Sequence, residues 1–393
     1  MESMEWVIDV DAHLTEPGDV WTSRVPERFR DRAPYLVRDP KSGRDVWHVG
    51  EGTPLVPVGL TAVAGWPEPF PNGPRNMDEV PRAAYDATAR LEYLDSIGVW
   101  AQALYPNVAG FGNQSFLQLD DAELQLACVR AYNDFLIEWC SADSRRLLPI
   151  MATPFWDVEA AVAEVERGAA AGHRGVLFTG EPQHFGLPHL GDEHWDPFWS
   201  TVQECGLPVS FHIGSADFTK GFTPSRIKAH GVGATYVATS VSLFLDNGAQ
   251  IVDLLMSGVL ARYPNLKFVS VESGIGFIPF IVEAADYAFE DSEVWRERPY
   301  FEMKPSEYFR RQIYGCWFFE ERTVSTVIDT VGPDCLLFET DYPHPICLFG
   351  NVREKIEAGL VGQPPAVRRK ILWENAAALY HVEAPQPSVA VAG

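Results

Sequence analysis

Four places in this chain carry side chains able to do metal or acid–base chemistry. Asp11 and His13 stand two positions apart in Asp9-Val10-Asp11-Ala12-His13, so an extended strand sends both to the same face. Facing a shared cavity, a carboxylate and an imidazole begin a metal site; facing elsewhere, they are a polar strand end. His212 closes the run Val209-Ser210-Phe211 and precedes Gly214 by two residues. Taken alone, a histidine there is more often a hydrogen-bonded core residue than a ligand. Asp341 follows Phe338-Glu339-Thr340 and leads into Tyr342-Pro343-His344, where by itself it reads as the cap of a following helix. Glu272 follows Ser270-Val271. It either accepts from the backbone amides of Gly274 and Gly276 or serves as a general base or further metal ligand, and its place at a strand end favours the second.

The elements that must position these groups form an α/β pattern. Short apolar, β-rich runs fall at 6–10, 99–104, 147–151, 175–178, 208–212, 267–271, 312–316 and 336–339. Helical periodicity lies between them, as at 84–97 and at 158–171, the latter ending at Gly172 in a C-cap position. Eight strands alternating with helices predict a (β/α)₈ barrel, a TIM barrel, whose strand C-termini surround one mouth. A doubly wound open sheet competes, but it calls for a glycine-rich phosphate turn, and the first strand leads instead into Asp-Ala-His-Leu-Thr-Glu-Pro. The barrel brings Asp11, His13, His212 and Asp341 to one mouth, and their nitrogen and carboxylate donors suit zinc, manganese or iron. With Glu272 added, three carboxylates and two imidazoles can hold one or two ions and lean toward iron or manganese. His344 either orients a ligand, binds the metal or acts as acid or base. His173, His184, His189, His194, His230 and His381 have weaker cases.

Two stretches break the rhythm and are expected as insertions after strands one and five of a single domain over 1–383. Residues 18–83 are rich in Pro, Trp and Arg and are expected to form a lid or a partner-facing excursion. Residues 214–266 hold an apolar helix pattern at 237–260. Trp66, Phe70, Trp317, Phe318 and Phe319 are candidates for an apolar pocket, with core packing the competing role. The Pro/Ala/Val/Gly-rich tail at 384–393 is expected to be disordered.

Composition narrows the class. The 393 residues carry a formal net charge of −23, which opposes nucleic acid and anionic membrane surfaces as partners and leaves a small molecule as the substrate. Six cysteines without a Cys-x-x-Cys pair suggest buried free thiols in a reducing compartment. The start, MESMEWVIDV, lacks the basic and apolar regions of a signal peptide, and no run approaches the roughly 20 apolar residues of a membrane span. A cytoplasmic location is therefore expected. A Gly-rich phosphate loop, a G-x-S-x-G elbow and an H-E-x-x-H helix are all missing from the sequence.

The motifs V-I-D-V-D-A-H-L-T-E-P at 7–17, F-H-I-G at 211–214, V-E-S-G-I-G-F-I-P-F at 271–280 and E-T-D-Y-P-H-P at 339–345 resemble those of the amidohydrolase-related proteins. That superfamily includes aminocarboxymuconate semialdehyde decarboxylase and the resorcylate-type decarboxylases. H-W-D-P-F-W at 194–199 and W-E-N-A-A-A-L-Y at 373–380 fit the same resemblance. It implies a (β/α)₈ barrel, metal ligands at Asp11, His13, His212 and Asp341, and a homodimer, for which 18–83 is a plausible contact. This chain departs from the pattern in three ways. Asp11-x-His13 stands where the family often has H-x-H or E-x-H. Strand four offers no lysine. Strand six ends in Glu272 where related decarboxylases carry a catalytic histidine.

Two reactions follow. In the first, metal-activated water attacks the carbonyl of an ester, thioester or amide of a largely apolar acid, with Asp341 and Glu272 handling protons. In the second, the metal holds an aromatic or unsaturated acid that loses CO₂ after protonation at carbon by Asp341 or His344. Hydrolysis ranks first on the sequence, because Glu272 replaces the strand-six histidine. A catalytically silent binding protein is the third expectation.

Overall fold

The computed structural model describes residues 5–50, 53–216 and 221–383. Eight parallel strands close in the order β1-β11-β10-β9-β8-β7-β6-β5. They are β1 (Ile8–His13), β5 (Ala101–Tyr105), β6 (Leu147–Met151), β7 (Gly175–Leu177), β8 (Val209–His212), β9 (Phe268–Val271), β10 (Ile313–Trp317) and β11 (Leu336–Phe338). Each overlaps a run expected from sequence, seven with ends within two residues, whereas β1 continues three residues further than expected, to His13. Three further strands, β2 (Tyr35–Arg38), β3 (Asp45–Val49) and β4 (Thr53–Pro57), form an antiparallel sheet inside the first excursion. No strand had been expected in 18–83. Tyr35-Leu36-Val37 and Val46-Trp47 carry the β-forming residues, but the surrounding Pro, Asp and Gly hide them. The tail expected to be disordered lies outside the described residues.

Alternation along the strands sorts the wall into two layers. Ile8, Val10, Ala103, Ile150, Val269 and Leu337 belong to the cluster that fills the lumen, and Ala376, Leu379 and Tyr380 join it. Their neighbours Val7, Ala12, Leu104, Phe211 and Phe338 pack outward against the helices. Strict alternation along β1 would keep Asp11 and His13 on the outward side with Asp9. It does not hold, because the register with β5 shifts between Asp9 and Ala12. This bulge turns Asp11 and His13 to the inside while Asp9 stays in the wall.

Helix boundaries follow local chemistry. The 158–171 pattern forms Val158–Ala171, started by Asp157 accepting from the Ala160 amide (3.0 Å) and ended by Gly172 at φ 105°. The 84–97 pattern divides into Arg82–Tyr85 and Ala87–Ile97, because Asp86 leaves helical geometry to cap the second piece through the Ala89 amide (2.8 Å). The apolar helix of the second excursion runs from Val232 to Met256, not 237–260. Gly258, at φ 80°, breaks it before the short helix Val259–Arg262.

Asp9 ties the site-bearing segments together. Its Oδ1 accepts from the amides of Asp11 (3.2 Å) and Thr340 (2.8 Å), and its Oδ2 from Gln102 Nε2 (2.7 Å) and Thr340 Oγ1 (2.5 Å). Buried Arg90 donates to Gln102 Oε1 (2.7 Å) and to the His13 carbonyl (2.7 Å). Burial pushes Asp9 up to about 7 against the pull of those donors. Replacing Asp9 with alanine strands several buried donors, so a loss of about 3 kcal/mol is expected in denaturant unfolding. An unfolding midpoint equal to that of the parent protein would remove this network from the account of stability.

Candidate metal centre

His13 is the hub of the mouth. Its Nε2 lies 3.6 Å from Asp11 Oδ1, 3.6 Å from Asp341 Oδ1 and 3.2 Å from His212 Nε2. His212 Nε2 lies 3.6 Å from both Asp11 Oδ1 and Glu272 Oε2. His344 Nδ1 lies 2.8 Å from Asp341 Oδ1. Asp11, His13, His212, Asp341, Glu272 and His344 are all buried. Their donor atoms form two overlapping groups, Asp11/His13/His212/Glu272 and His13/Glu272/Asp341/His344. None of the six weaker histidine candidates belongs to either group among the described residues.

The far side of each imidazole decides its tautomer. His13 Nδ1 faces the Pro106 carbonyl (3.2 Å) and His212 Nδ1 faces the Ile213 carbonyl (3.0 Å). Carbonyls only accept, so both Nδ1 atoms carry hydrogen and both Nε2 lone pairs point at each other. His344 Nε2 faces Asn107 Oδ1 (2.6 Å), whose own amide donates to the Leu14 carbonyl (2.6 Å). Its Nδ1 lone pair therefore meets the Asp341 carboxylate. Both carboxylate oxygens of Asp11 and of Asp341 are buried without a hydrogen-bond partner among the described residues. Converging lone pairs with orphaned carboxylate oxygens repel one another unless a cation stands between them. The residues therefore fit a divalent ion.

Electrostatics agree in direction. Burial holds Glu272 and Asp341 well above the usual carboxylate range, and Asp341 adds to the effect on Glu272. Burial, then the neighbouring imidazoles of His344 and His212, holds His13 well below its ordinary value. Burial alone pulls His212 down too, but the Asp11 and Glu272 carboxylates and the Ile213 carbonyl together outweigh it and the net shift is upward. Burial holds His344 at about 4.

Backbone strain marks the same strand ends. Glu272 has φ 57° and Asp341 φ 58°, left-handed conformations unusual for either residue. Glu339, two positions before Asp341 and fully buried, accepts from the Glu272 amide (3.1 Å) and so holds that turn. Of the two amides considered for Glu272, that of Gly276 goes to another residue. Glu320 Oε1 accepts from Ile275 (2.5 Å) and Gly276 (3.1 Å), which frees Glu272 for the mouth.

Sequence reasoning missed the supports. Glu16 Oε1 takes the amides of Asn107 (2.8 Å) and Val108 (3.0 Å), shaping the loop that holds His13 and His344. Phe111 stacks on His212 with centroids 4.5 Å apart. Nothing in the spacing of 16, 107 and 111 points to these roles. Of the aromatic candidates, Phe70 stacks on Tyr236 at 4.0 Å, so the two excursions touch. Trp66 is half-buried. Trp317 and Phe318 are core, the former donating to the Glu320 carbonyl (2.8 Å). Phe319 is partly exposed.

The chain is similar to several known proteins. A gamma-resorcylate decarboxylase from a Polaromonas species is 27% identical over 264 residues, covering 64% of this chain and 75% of its own. A crystal structure of an amidohydrolase from Mycobacterium avium subsp. paratuberculosis superposes with a TM-score of 0.76 at 24% identity, over 95% of this chain and 98% of the other. A dihydroxybenzoic acid decarboxylase from a Polaromonas species, solved with manganese and the inhibitor 2-nitroresorcinol, gives 0.62 at 20% identity, over 96% and 97%. At these identities the two structures speak for the barrel. The amidohydrolase family model matches residues 8–382, nearly the whole chain, and the protein belongs to that family.

Proposed function

We propose that this protein is a metal-dependent, non-oxidative decarboxylase of an aromatic carboxylic acid. The observation that carries the reading is the buried Glu272–Asp341 pair beside the two converging imidazoles, in a chain whose curated relatives include a gamma-resorcylate decarboxylase. This reverses the order expected from sequence, where hydrolysis came first. That ranking rested on Glu272 replacing a histidine, yet a buried carboxyl that keeps its proton is also an acid for carbon.

Asp11, His13, His212 and Asp341 would hold the ion, with His344 and Glu272 at its edge. When bound, the ion would supply positive charge that attracts and orients an anionic aromatic acid. Each imidazole offers one free lone pair, because its other nitrogen is committed to a carbonyl or an amide oxygen. His13 and Glu272 belong to both donor groups, and the one free lone pair of a neutral imidazole cannot serve two ions at once. The two groups are thus halves of one site, and one ion per chain is the reading, not two. The carboxylate-rich set, with a manganese-bound related structure, favours manganese.

Glu272 is the acid. Its proton goes to the ring carbon that bears the carboxylate; the carbon–carbon bond then breaks, its electron pair restores the aromatic ring, and CO₂ departs. Glu272 regains a proton from water. Asp341, close beside it, disfavours a second negative charge and so helps Glu272 to keep that proton. Phe111 on one side supplies an apolar wall for a flat ring.

Three outcomes are expected. Metal analysis of active protein gives one equivalent, and chelation abolishes turnover; two equivalents would return the two-ion site. Glu272→Gln keeps its metal but loses at least about a hundredfold in kcat, the usual scale for a general acid. Loss of the metal in that variant would make Glu272 a ligand instead. Finally, manganese-loaded protein offered hydroxylated benzoic acids and acyl thioesters releases CO₂ from the former. Free thiol without CO₂ would reinstate hydrolysis.

A further inference from the structure

One large apolar ring at the mouth has no part in the core. Phe111 belongs to neither apolar cluster among the described residues. Its ring stacks on His212, with centroids 4.5 Å apart and planes 20° from parallel. It stands edge-on to His13 (5.4 Å) and to His344 (5.8 Å). One side chain thus faces all three imidazoles of the site. Phe111 is half-buried, whereas the imidazoles behind it are buried, His13 and His212 completely. The ring therefore stands between them and solvent.

The loop that carries Phe111 is fixed in that pose. Gln114 Nε2 donates to the Gly214 carbonyl (2.8 Å), two residues past His212, and Gln114 Oε1 accepts from the Gly112 amide (2.8 Å). The Asn113 amide closes the turn on the Gly110 carbonyl (3.0 Å). Glycine is required on both sides of the ring. Gly110 has φ 85°, and a Cβ at Gly112 would stand 2.6 Å from the Ser215 carbonyl oxygen. The loop after β5 is thus pressed onto the turn after β8, the same turn that presents His212.

We propose that Phe111 decides which reaction this site performs. It keeps water off the imidazole side, so that a proton from Glu272, and not a water oxygen, reaches the substrate. The inference rests on the decarboxylase reading and names the residue that separates it from hydrolysis. Hydrolysis needs a water molecule beside the ligands, and a phenyl face offers no strong hydrogen bond to hold one there. Without the ring, a space opens next to the His13 and His212 lone pairs and the unpartnered Asp11 carboxylate, polar enough for water to fill. An ester of the same acid then becomes a substrate. The water oxygen bonds to the carbonyl carbon and the carbon–oxygen bond to the leaving phenol breaks. The phenol oxygen takes one water proton and the solvent takes the other.

Two measurements test this, one of them without metal. In metal-free protein, diethyl pyrocarbonate acylates an imidazole lone pair that it can reach, and peptide mapping reads the rate at His212. Phe111→Ala is expected to raise that rate at least about tenfold, and Phe111→Tyr, which keeps the ring, to leave it as in the parent. Manganese-loaded protein is then offered a hydroxylated benzoic acid and the nitrophenyl ester of that acid. Phe111→Ala is expected to shift the ratio of ester hydrolysis to CO₂ release at least about tenfold toward hydrolysis, with Phe111→Tyr unchanged. If the alanine variant does not fold, Phe111→Leu serves instead, with changes of at least about threefold in the same directions. A His212 rate or a reaction ratio that stays at the parent's level overturns the proposal. A parent that releases no CO₂ overturns the decarboxylase reading instead, and the His212 and ester rates still decide whether Phe111 shields the site.

Discussion

Like charge confined in a small dry space governs this molecule. Asp11, Glu272, Glu339 and Asp341 sit in one barrel lumen with the lone pairs of His13 and His212, all of them shielded from water. Such a collection is unstable by itself: buried carboxylates give up their charge, and facing lone pairs push apart. Protons on some of the acids relieve it, and the donor set fits a divalent cation that would relieve the rest. Asp341 strengthens the hold of Glu272 on a proton, yet it also stands 3.6 Å from His13 Nε2, as Asp11 does. The acids that keep protons and the lone pairs that face one another therefore belong to one connected site.

The wall around the lumen is built to resist the repulsion. Asp9, still in the wall because the β1 bulge comes just after it, accepts hydrogen from both sides of the seam between β1 and the end of β11. Arg90 reaches the same seam from the helix Ala87–Ile97 through Gln102 and the His13 carbonyl. The ladder itself continues past β11, with the Asp341 amide donating to the Asp11 carbonyl (2.9 Å) and the His13 amide to the Tyr342 carbonyl (2.7 Å). The two segments bearing opposed carboxylates are thus stitched by main chain and by a buried acid together. That is how left-handed strain at Asp341 can persist.

The sequence made much of this legible, for a physical reason. Buried parallel strands read as short apolar runs, and polar residues at their ends stand out against them, so the eight strands and the residues Asp11, His13, His212, Glu272 and Asp341 could be picked out. What stayed hidden depends on contacts between distant segments. The bulge leaves no trace in Asp-Val-Asp-Ala-His, although without it the same two residues would face the helices. Glu16 and Glu320 are ordinary surface-type residues until the loops they cap come to them. Glu339 looked like one more polar residue beside Asp341, and its hold on the Glu272 amide spans 67 positions. The Asp86 break was hidden because a capping aspartate and a helical aspartate read alike.

The carbonyl of Pro343 has a further bearing on how such proteins diversify. It accepts the amides of Val63 (2.8 Å) and Ala64 (3.0 Å), so the first excursion hangs from the very turn that presents His344. A longer or shorter excursion cannot be exchanged between relatives as a free appendage. Any graft that shifts residues 63 and 64 also tugs on the turn that presents His344. What covers the mouth and the shape of the mouth itself are mechanically one unit.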